Sequence, residues 1–468
     1  MRELRIIELE KKLELEKQKN EKVNKDYEKL RKFKSSVQHI FTNGQIRKLE
    51  NPEKKIKWSL DDISSAICVH SAGPRAYKYL YKKKFPLPGL STLRQWAKKI
   101  IVRPGILENV LQLMKDFSMN ENDRICILSF DEMKIRSEYE YDRPNDSVLK
   151  PSNYVQVAMV RGLISKWKQP IFYQYDCRMS YQIISEIIIK LDNIGYSVVA
   201  LVSDMGSTNQ GLWKELEVTI TKTWFQNPAD VNKKVFVFAD VPHLIKLIRN
   251  HFLDTGFILK NQVLNSEPIK HLIKITSISD LSINHKLSDI HLNVKKAERQ
   301  KVKWAVQLLS HSTSSALRRC VSLGKFEFEN ALPVADFIKL VNDWFDLFNS
   351  KMPYTDSRDR MKAFGLAKET QLDILNRMND TTSNMRAPKK QQMLPFQKGI
   401  LISNSSLPAL FNYLQEKFDI KYILTCCLNQ DVIENFFSAI RAKGGLHDHP
   451  TALEFKYRLR SYLLGKLN

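Results

Sequence analysis

The sequence predicts a mixed α/β fold with a long, mostly helical stretch set into it and a helical region ahead of it. Three observations carry that prediction. Five apolar or β-branched runs of strand length lie between residues 123 and 244, and helix-period segments alternate with the last of them. From about residue 256 to 420 the chain turns polar and largely helical. Strands that first meander and then alternate with helices make a mixed sheet.

The 468 residues leave room for two or three domains and a large core. No apolar run reaches the roughly 18 residues of a membrane span. The opening MRELRIIELEKK alternates charges where a secretion signal needs an unbroken apolar core, so a cytosolic or nuclear location is expected, and the nucleus is preferred. Lys and Arg number 74 against 51 Asp and Glu, a net charge of +23. Such an excess attracts polyanions, because each phosphate neutralised releases counterions. Double-stranded DNA is the expected partner; on charge alone a merely solvated basic surface competes with it. No long basic helix with a strongly apolar face is present, so no membrane partner is expected. Cys68, Cys126, Cys177, Cys320, Cys426 and Cys427 form no CxxC pair and have no His at finger spacing, which predicts reduced thiols and no structural zinc.

Residues 1–40 read as one charged helix. Ile6, Leu9, Leu13, Glu16, Asn20, Val23, Tyr27 and Leu30 fall on a and d positions of a 3.5-residue repeat, with Asn20 at an a position suited to fixing register between two parallel chains. Glu16 weakens that seam, and a dimerising coiled coil competes with a solitary solvated helix. Residues 41–115 hold three short helices. Ser59 with Asp62 makes a capping box, GPRAYKYLYKKK starts a helix after Gly73 and Pro74, and Ser91 opens a third in which Leu93, Trp96 and Ile100 pack inward while Arg94 and Lys98 project together. The arrangement resembles a helix-turn-helix, or equally a small bundle with a wet basic face.

The first part of the α/β core spans 120–255, with strands in DRICILSFDEMKI, SNYVQVAMVRGLI, KQPIFYQYDCRM, YSVVALVSDMG and KKVFVFADVPHL, and a helix in SYQIISEIIIKLDNIG. The helical insertion covers 256–420, with no strong strand until the region near 400. Residues 421–468 supply the final helices, led by LNQDVIENFFSAIRAKGG with Asn429 as cap and Gly444-Gly445 as stop.

Two of these strands end on acids. Successive strand side chains point to opposite faces, so only one of Asp131 and Glu132 shares a pocket with Phe130's surroundings, and Asp131 at the strand mouth is preferred. Asp204 repeats the design, and Glu434 stands on the late helix. Three such acids suit a pair of Mg²⁺ ions that activate an attacking oxygen and stabilise a leaving one in displacement at phosphorus. On spacing alone the ordinary reading outweighs this one: strand-end acids that cap turns or pair with Lys and Arg. His243 in DVPHLIK has two readings as well, a role at the metal or leaving group and a hydrogen-bonded structural histidine.

SAGPRAYKYLYKKKFPLP, FDEMK, VQVAMVRGL, VSDMGSTNQGLW, KTWFQNPAD, PHLIKLIRNH, NDWFDLFNSK, LPFQKGI and LNQDVIENFFSAIRAKGG together resemble the P element transposases and their relatives, the THAP-domain transposases, along the whole chain. The resemblance implies an RNase H-like catalytic fold interrupted by a helical insertion, with an acidic triad on Asp131, Asp204 and Glu434. It implies GTP as an assembly cofactor that is not hydrolysed, although no GxxxxGK[ST] loop is present. By similarity the nucleotide contacts map to Lys286, Lys301 and Val302, to Phe345, Asp346 and Asn349 in WFDLFN, and to Asp431. Lysines suit phosphates, an aromatic stacks on a base, and a carboxylate accepts from guanine N–H donors; for Phe345, simple helix packing competes.

The family begins with a zinc-binding THAP domain, and here no Cys-rich segment precedes the charged helix, so a truncated or domesticated copy is expected. The functional expectation is a cut-and-paste DNA transposase core using two-metal-ion catalysis and self-assembly as a dimer or higher oligomer. Its alternative is a domesticated, non-catalytic DNA-binding or repressor protein. In the folded chain Asp131, Asp204 and Glu434 are expected to meet at one two-metal site, with Glu132 turned away.

Overall fold

The computed structural model describes residues 2–98, 102–278, 287–324, 330–354, 358–445 and 447–465. The chain divides into two compact units, Met1–Val102 with Glu454–Asn468, and Arg103–Leu453.

The first unit is helical. Helix α1 (Arg2–Ile40) runs 39 residues, about 58 Å at 1.5 Å per residue. Its heptad positions Leu9, Leu13, Val23 and Leu30 are all exposed, and i,i+3 or i,i+4 pairs such as Glu8–Lys12 and Glu16–Lys19 line its surface. Helix α2 (Asn43–Glu50) starts at Thr42, whose side chain trades hydrogen bonds with Gln45. Helix α3 (Leu60–Ala72) starts at the reciprocal Ser59–Asp62 cap that the sequence indicates. Helix α4 (Pro74–Lys82) has Pro74 in its first turn, where a missing N–H costs nothing. Helix α5 (Leu90–Lys98) begins one residue before Ser91, so Ser91 lies inside the first turn and does not cap it.

Ile63, Ala66, Tyr77 and Leu93 make the core of this bundle, and the buried Tyr77 hydroxyl donates to the Pro88 carbonyl at 2.7 Å. One further core residue, Leu464, comes from the last helix, Ala452–Leu464. The sequence places that helix with the catalytic core by proximity to residues 428–445. Its apolar spacing announces burial and does not say against what, and its contacts from Glu454 onward fall in the helical unit.

The second unit is organised by a seven-stranded sheet, with helix α6 (Glu108–Asp116) following its first strand. In chain order its strands are β1 (Gly105–Ile106), β2 (Ile125–Lys134), β5 (Tyr154–Gly162), β6 (Lys168–Tyr175), β7 (Ser197–Ser203), β8 (Trp224–Gln226) and β9 (Lys234–Ala239); a short hairpin, β3 (Glu140–Asp142) and β4 (Ser147–Leu149), lies outside it. The spatial order is β1-β6-β5-β2-β7-β9-β8. β2, β5 and β6 pair antiparallel, whereas β2-β7 and β7-β9 are parallel. Parallel neighbours need crossovers, supplied by helix α7 (Tyr181–Asn193) before β7 and helix α8 (Ser207–Glu215) after it. β2 is buried from Ile125 to Phe130, the mark of a central strand covered on both faces.

Helix α9 (Val241–Asp254) follows β9 and leads into the insertion. There a hairpin of β10 (Phe257–Leu259) and β11 (Gln262–Leu264) precedes α10 (Glu267–Ile278), α11 (Val302–Leu308), α12 (His311–Ser322), α13 (Ala331–Phe348) and α14 (Lys368–Asn384). The stretch near 400, expected to hold a strand, is instead helix α15 (Pro395–Phe418). Short apolar runs such as ILI do not distinguish a strand from a buried helix, and here Phe396, Ile400, Leu407, Leu410 and Leu414 keep helical spacing.

Helix α15 lies on the sheet. Ser403 Oγ accepts from the Ala239 N–H at 2.9 Å, and Ser406 Oγ donates to the Val237 carbonyl at 2.7 Å. The approach is close enough that a Cβ on Gly399 meets Ala239 Cβ and Met205 at 3.0 Å. Helix α16 (Asp431–Ala442) then completes the α/β core.

Candidate active site

Asp204 and Asp240 directly follow the last residues of β7 and β9, whereas Asp131, expected at the mouth of its strand, lies inside β2 just past the end of its parallel pairing with β7, because β2 continues to Lys134 against β5. At β2, Asp131 is half-buried between buried Phe130 and exposed Glu132, and its Oδ1 accepts the Glu132 N–H at 2.8 Å. At β7, Asp204 turns the chain into α8: its Oδ1 accepts from the Gly206 N–H at 2.9 Å and from Asn209 Nδ2 at 2.6 Å. Asp240, after β9, is buried and caps α9, with Oδ2 accepting the His243 N–H at 2.9 Å.

The fourth acid arrives on α16. Gln430, just ahead of that helix, donates its backbone N–H to Asp240 Oδ1 at 2.8 Å and its side-chain amide to the Phe130 carbonyl at 2.6 Å. One residue thereby fastens the start of α16 to the end of β9 and to β2. In the first turn of the helix Asp431 is half-buried and Glu434 exposed.

The electrostatics place these carboxylates in one neighbourhood. Asp131 is pushed up to about 7, by burial first and then by the charges of Asp204, Asp240 and Glu434, against the Glu132 N–H bond. Asp240 is also pushed up to about 7, by burial and by Glu434, with the Gln430 N–H and Lys246 opposing. His243 Nδ1 stands 3.7 Å from Asp204 Oδ2. Burial and the Lys246 charge hold this histidine below its ordinary value, and Asp204 pulls the other way. Glu132 is exposed, yet burial and the charge of Asp204 still raise it, so alternation along the strand does not remove it from the field.

Mutual influence is not ligand geometry. Among the described residues no group of three His, Cys, Asp or Glu side chains stands close enough to hold a metal ion, so Asp131, Asp204 and Glu434 share a field without closing into a cation cradle. Asp131 and Asp204 each accept hydrogen bonds from nearby N–H donors. The chemistry of the set nevertheless fits a hard cation, which prefers oxygen ligands and relieves the repulsion that raises Asp131. Asp240 and Gln430 escaped the sequence reading. The signal for Asp240 was there, since VFVFAD repeats the pattern of ILSFD and ALVSD.

The residues mapped to nucleotide binding are spread over the insertion and α16. Lys301 precedes α11 and is exposed, its Nζ 4.4 Å from the Trp304 ring centroid; Val302 opens the helix and is half-buried. Phe345, in the last turn of α13, is 8% exposed, placing its ring in the core of the insertion. Asp346 Oδ2 accepts from Arg360 Nε at 3.0 Å and Asn342 Nδ2 at 2.9 Å. Asn349 ends α13 and is half-buried. Lys286 lies outside the described residues. Arg360 Nη2 is buried with no hydrogen-bond partner, an unspent cationic donor beside Asp346 that suits an anionic or carbonyl-bearing ligand.

A short turn, Thr425–Cys427, joins the end of α13 to the approach of α16. Thr425 Oγ1 donates to the Leu347 carbonyl at 2.6 Å and accepts the Ser350 N–H at 3.1 Å. Asp346 and Asn349 thus sit on a segment bolted to the chain just ahead of Asp431 and Glu434. In the helical unit Arg94 is exposed on α5; the side chain of Lys98 lies outside the described set.

Comparison with known proteins gives three matching family profiles: "TNP-like, RNase H N-terminal domain" over residues 102–217, "TNP-like, GTP-binding insertion domain" over 242–362, and "TNP-like, RNase H C-terminal domain" over 426–457. The Transposable element P transposase of Drosophila melanogaster is 48% identical over 438 residues, 93% of this chain and 58% of that protein. The human DNA transposase THAP9 is 26% identical over 447 residues, 87% of this chain and 48% of that protein. The chain therefore spans about half the length of the curated relatives it matches. A solved structure, the Drosophila P element transposase strand transfer complex, superposes with a TM-score of 0.90 at 47% identity, covering 94% of this chain and 99% of that one.

Proposed function

The chain belongs to the TNP-like family of P element transposases, with an RNase H-like α/β domain interrupted by a mostly helical GTP-binding insertion, and from that premise we propose that it is a transposase core that cuts DNA at element ends and joins them to a target. The observation that carries the reading is the common electrostatic field of Asp131, Asp204, Asp240 and Glu434, gathered from β2, the ends of β7 and β9, and the start of α16. Burial and the neighbouring acids raise the proton affinity of Asp131 and Asp240, and such a grouping is costly unless a cation is the intended guest.

Asp131, Asp204 and Glu434 are the residues that would hold two Mg²⁺ ions. When bound, such ions supply activation of the attacking oxygen and stabilisation of the leaving one in displacement at phosphorus. Asp240 acts at one remove, because its carboxyl, engaged with the N–H groups of Gln430 and His243, positions α16 and hence Glu434. His243 orients Asp204 as a neutral imidazole. No serine or tyrosine nucleophile is required.

GTP would act as an unhydrolysed assembly cofactor in the insertion, with Lys301 towards phosphates and Asp346 and Asp431 towards guanine N–H donors; Lys286, Val302, Phe345 and Asn349 remain assigned by family resemblance. Duplex DNA and further copies of the chain are the proposed partners, the copies meeting through α1, and the nucleus is the proposed location.

The test is a strand-transfer assay with labelled duplex ends, Mg²⁺ and GTP. The chain joins ends to target DNA and Asp204→Ala abolishes the reaction. Joining that is undiminished in Asp204→Ala removes the catalytic assignment; duplex binding with no cutting by the unaltered chain leaves the repressor reading in its place.

A further inference from the structure

A cavity of about 340 Å³ opens in the helical unit, away from every residue assigned above except Arg94. Its lining brings together His70 at the end of α3, Lys78 on α4, Arg94 on α5 and Arg460 on the last helix. Leu93 and Leu464 form part of an apolar floor. Arg460 is half-buried, and its guanidinium lies 5.0 Å over the Tyr457 ring, which holds the fork flat. No described residue of the lining carries a carboxylate.

We propose that this cavity seats a backbone phosphate of duplex DNA and that Arg460, from the far end of the chain, completes it. Cationic side chains from three helices, with His70 on a fourth, converge on one concave spot, where a merely solvated basic face would spread them apart. An arginine fork matches phosphate oxygens two at a time, while Lys78 adds a point charge. The apolar floor excludes water beneath the charges and strengthens them. The described lining offers cations and no acid, which suits phosphate oxygens and backbone positioning. The inference rests on the DNA-partner part of the proposed function and not on its catalytic part.

The experiment measures equilibrium binding of the full chain to a labelled duplex of arbitrary sequence across a salt series, by fluorescence anisotropy. Each lost phosphate contact lowers the slope of log affinity against log salt by roughly 0.9. Arg460→Gln and the Lys78→Gln/Arg94→Gln pair, which share one phosphate, are each expected to lower it by up to about one, and Lys115→Gln, an exposed lysine of the other unit, to leave it unchanged, all with unshifted melting curves. A slope for Arg460→Gln equal to that of the unaltered chain overturns the proposal. So does inorganic phosphate that raises the melting temperature of the unaltered chain and not of Arg460→Gln while the two slopes coincide, because the seat is then for a free anion. A chain that binds no duplex at low salt sinks the DNA-partner reading itself, a result distinct from duplex binding with an unmoved slope.

Discussion

Within β2 and just after β9, Asp131 and Asp240 are carboxyls pushed up to about 7 by burial and by neighbouring negative charge. On α13, Asp343 and Asp346 are also acids withdrawn from water, but Arg360 Nε sits 3.0 Å from each, and Lys339 Nζ takes Asp343 at 2.7 Å. The first cluster is held mainly by N–H groups, which orient a carboxylate without cancelling its charge; the second carries its own cations. The difference separates a site left charged for an incoming cation from one whose charge is settled internally and whose value lies in a fixed shape.

That contrast is open to attack at several points. The largest effect is expected in the first cluster, where Asp131→Asn or Glu434→Gln lowers the strand-transfer rate by about 10³-fold or more while the fold survives; rates read from gel-resolved joining products, beside far-ultraviolet circular dichroism, check both halves. Next comes Arg360→Met, which strands two acids without their shared cation and costs about 3 kcal/mol in urea unfolding, with nucleotide affinity falling alongside. Equal stability for this variant would mean that the α13 cluster is not settled internally at all.

Between the two clusters stands helix α15. Gly399→Ala forces a Cβ against Ala239 and Met205, and overpacking of that kind costs about 1–3 kcal/mol. Its neighbours lead directly into Asp204 and Asp240, so joining activity should fall further than stability alone accounts for.

The smallest effect is one of pH. Asp131 has an ordinary value of 3.8 and a folded value of about 7, so the native state binds the extra proton. The resulting stabilisation is complete below about pH 4 and is lost as pH rises through 7. Asp131→Asn does not ionise, and its melting temperature in chelator should therefore gain on the unaltered chain as pH rises from 5 to 8. A constant difference from pH 5 to 8 would mean that burial does not penalise this carboxylate.

Local rules made much of this legible in the sequence. Ser59 and Asp62 cap α3 because a short oxygen and a short acid three residues apart satisfy each other's orphan N–H groups, a matter of spacing alone. The central strands show themselves because a strand covered on both faces has no polar alternation to confuse it. What stayed hidden depends on residues far apart. Asp240 looks like an ordinary cap until Gln430, 190 positions later, is seen to hold its other oxygen. Helix α15 looked like a strand because its short apolar runs fit either periodicity until the Ser403 and Ser406 bonds to β9 fix its face. Convergence of Asp131, Asp204 and Glu434 in one field follows from topology, whereas the ligand-close triad expected from it is not found among the described residues.

The helical bundle at the start of the chain takes one of its core residues from Leu464, about 370 positions after Leu93. During synthesis at about 5–20 residues per second, these helices must therefore wait roughly 20–70 seconds for the segment that closes their interior. The bundle matures after the sheet that follows it in the chain has been made, and the nascent protein carries an unfinished apolar face throughout that interval.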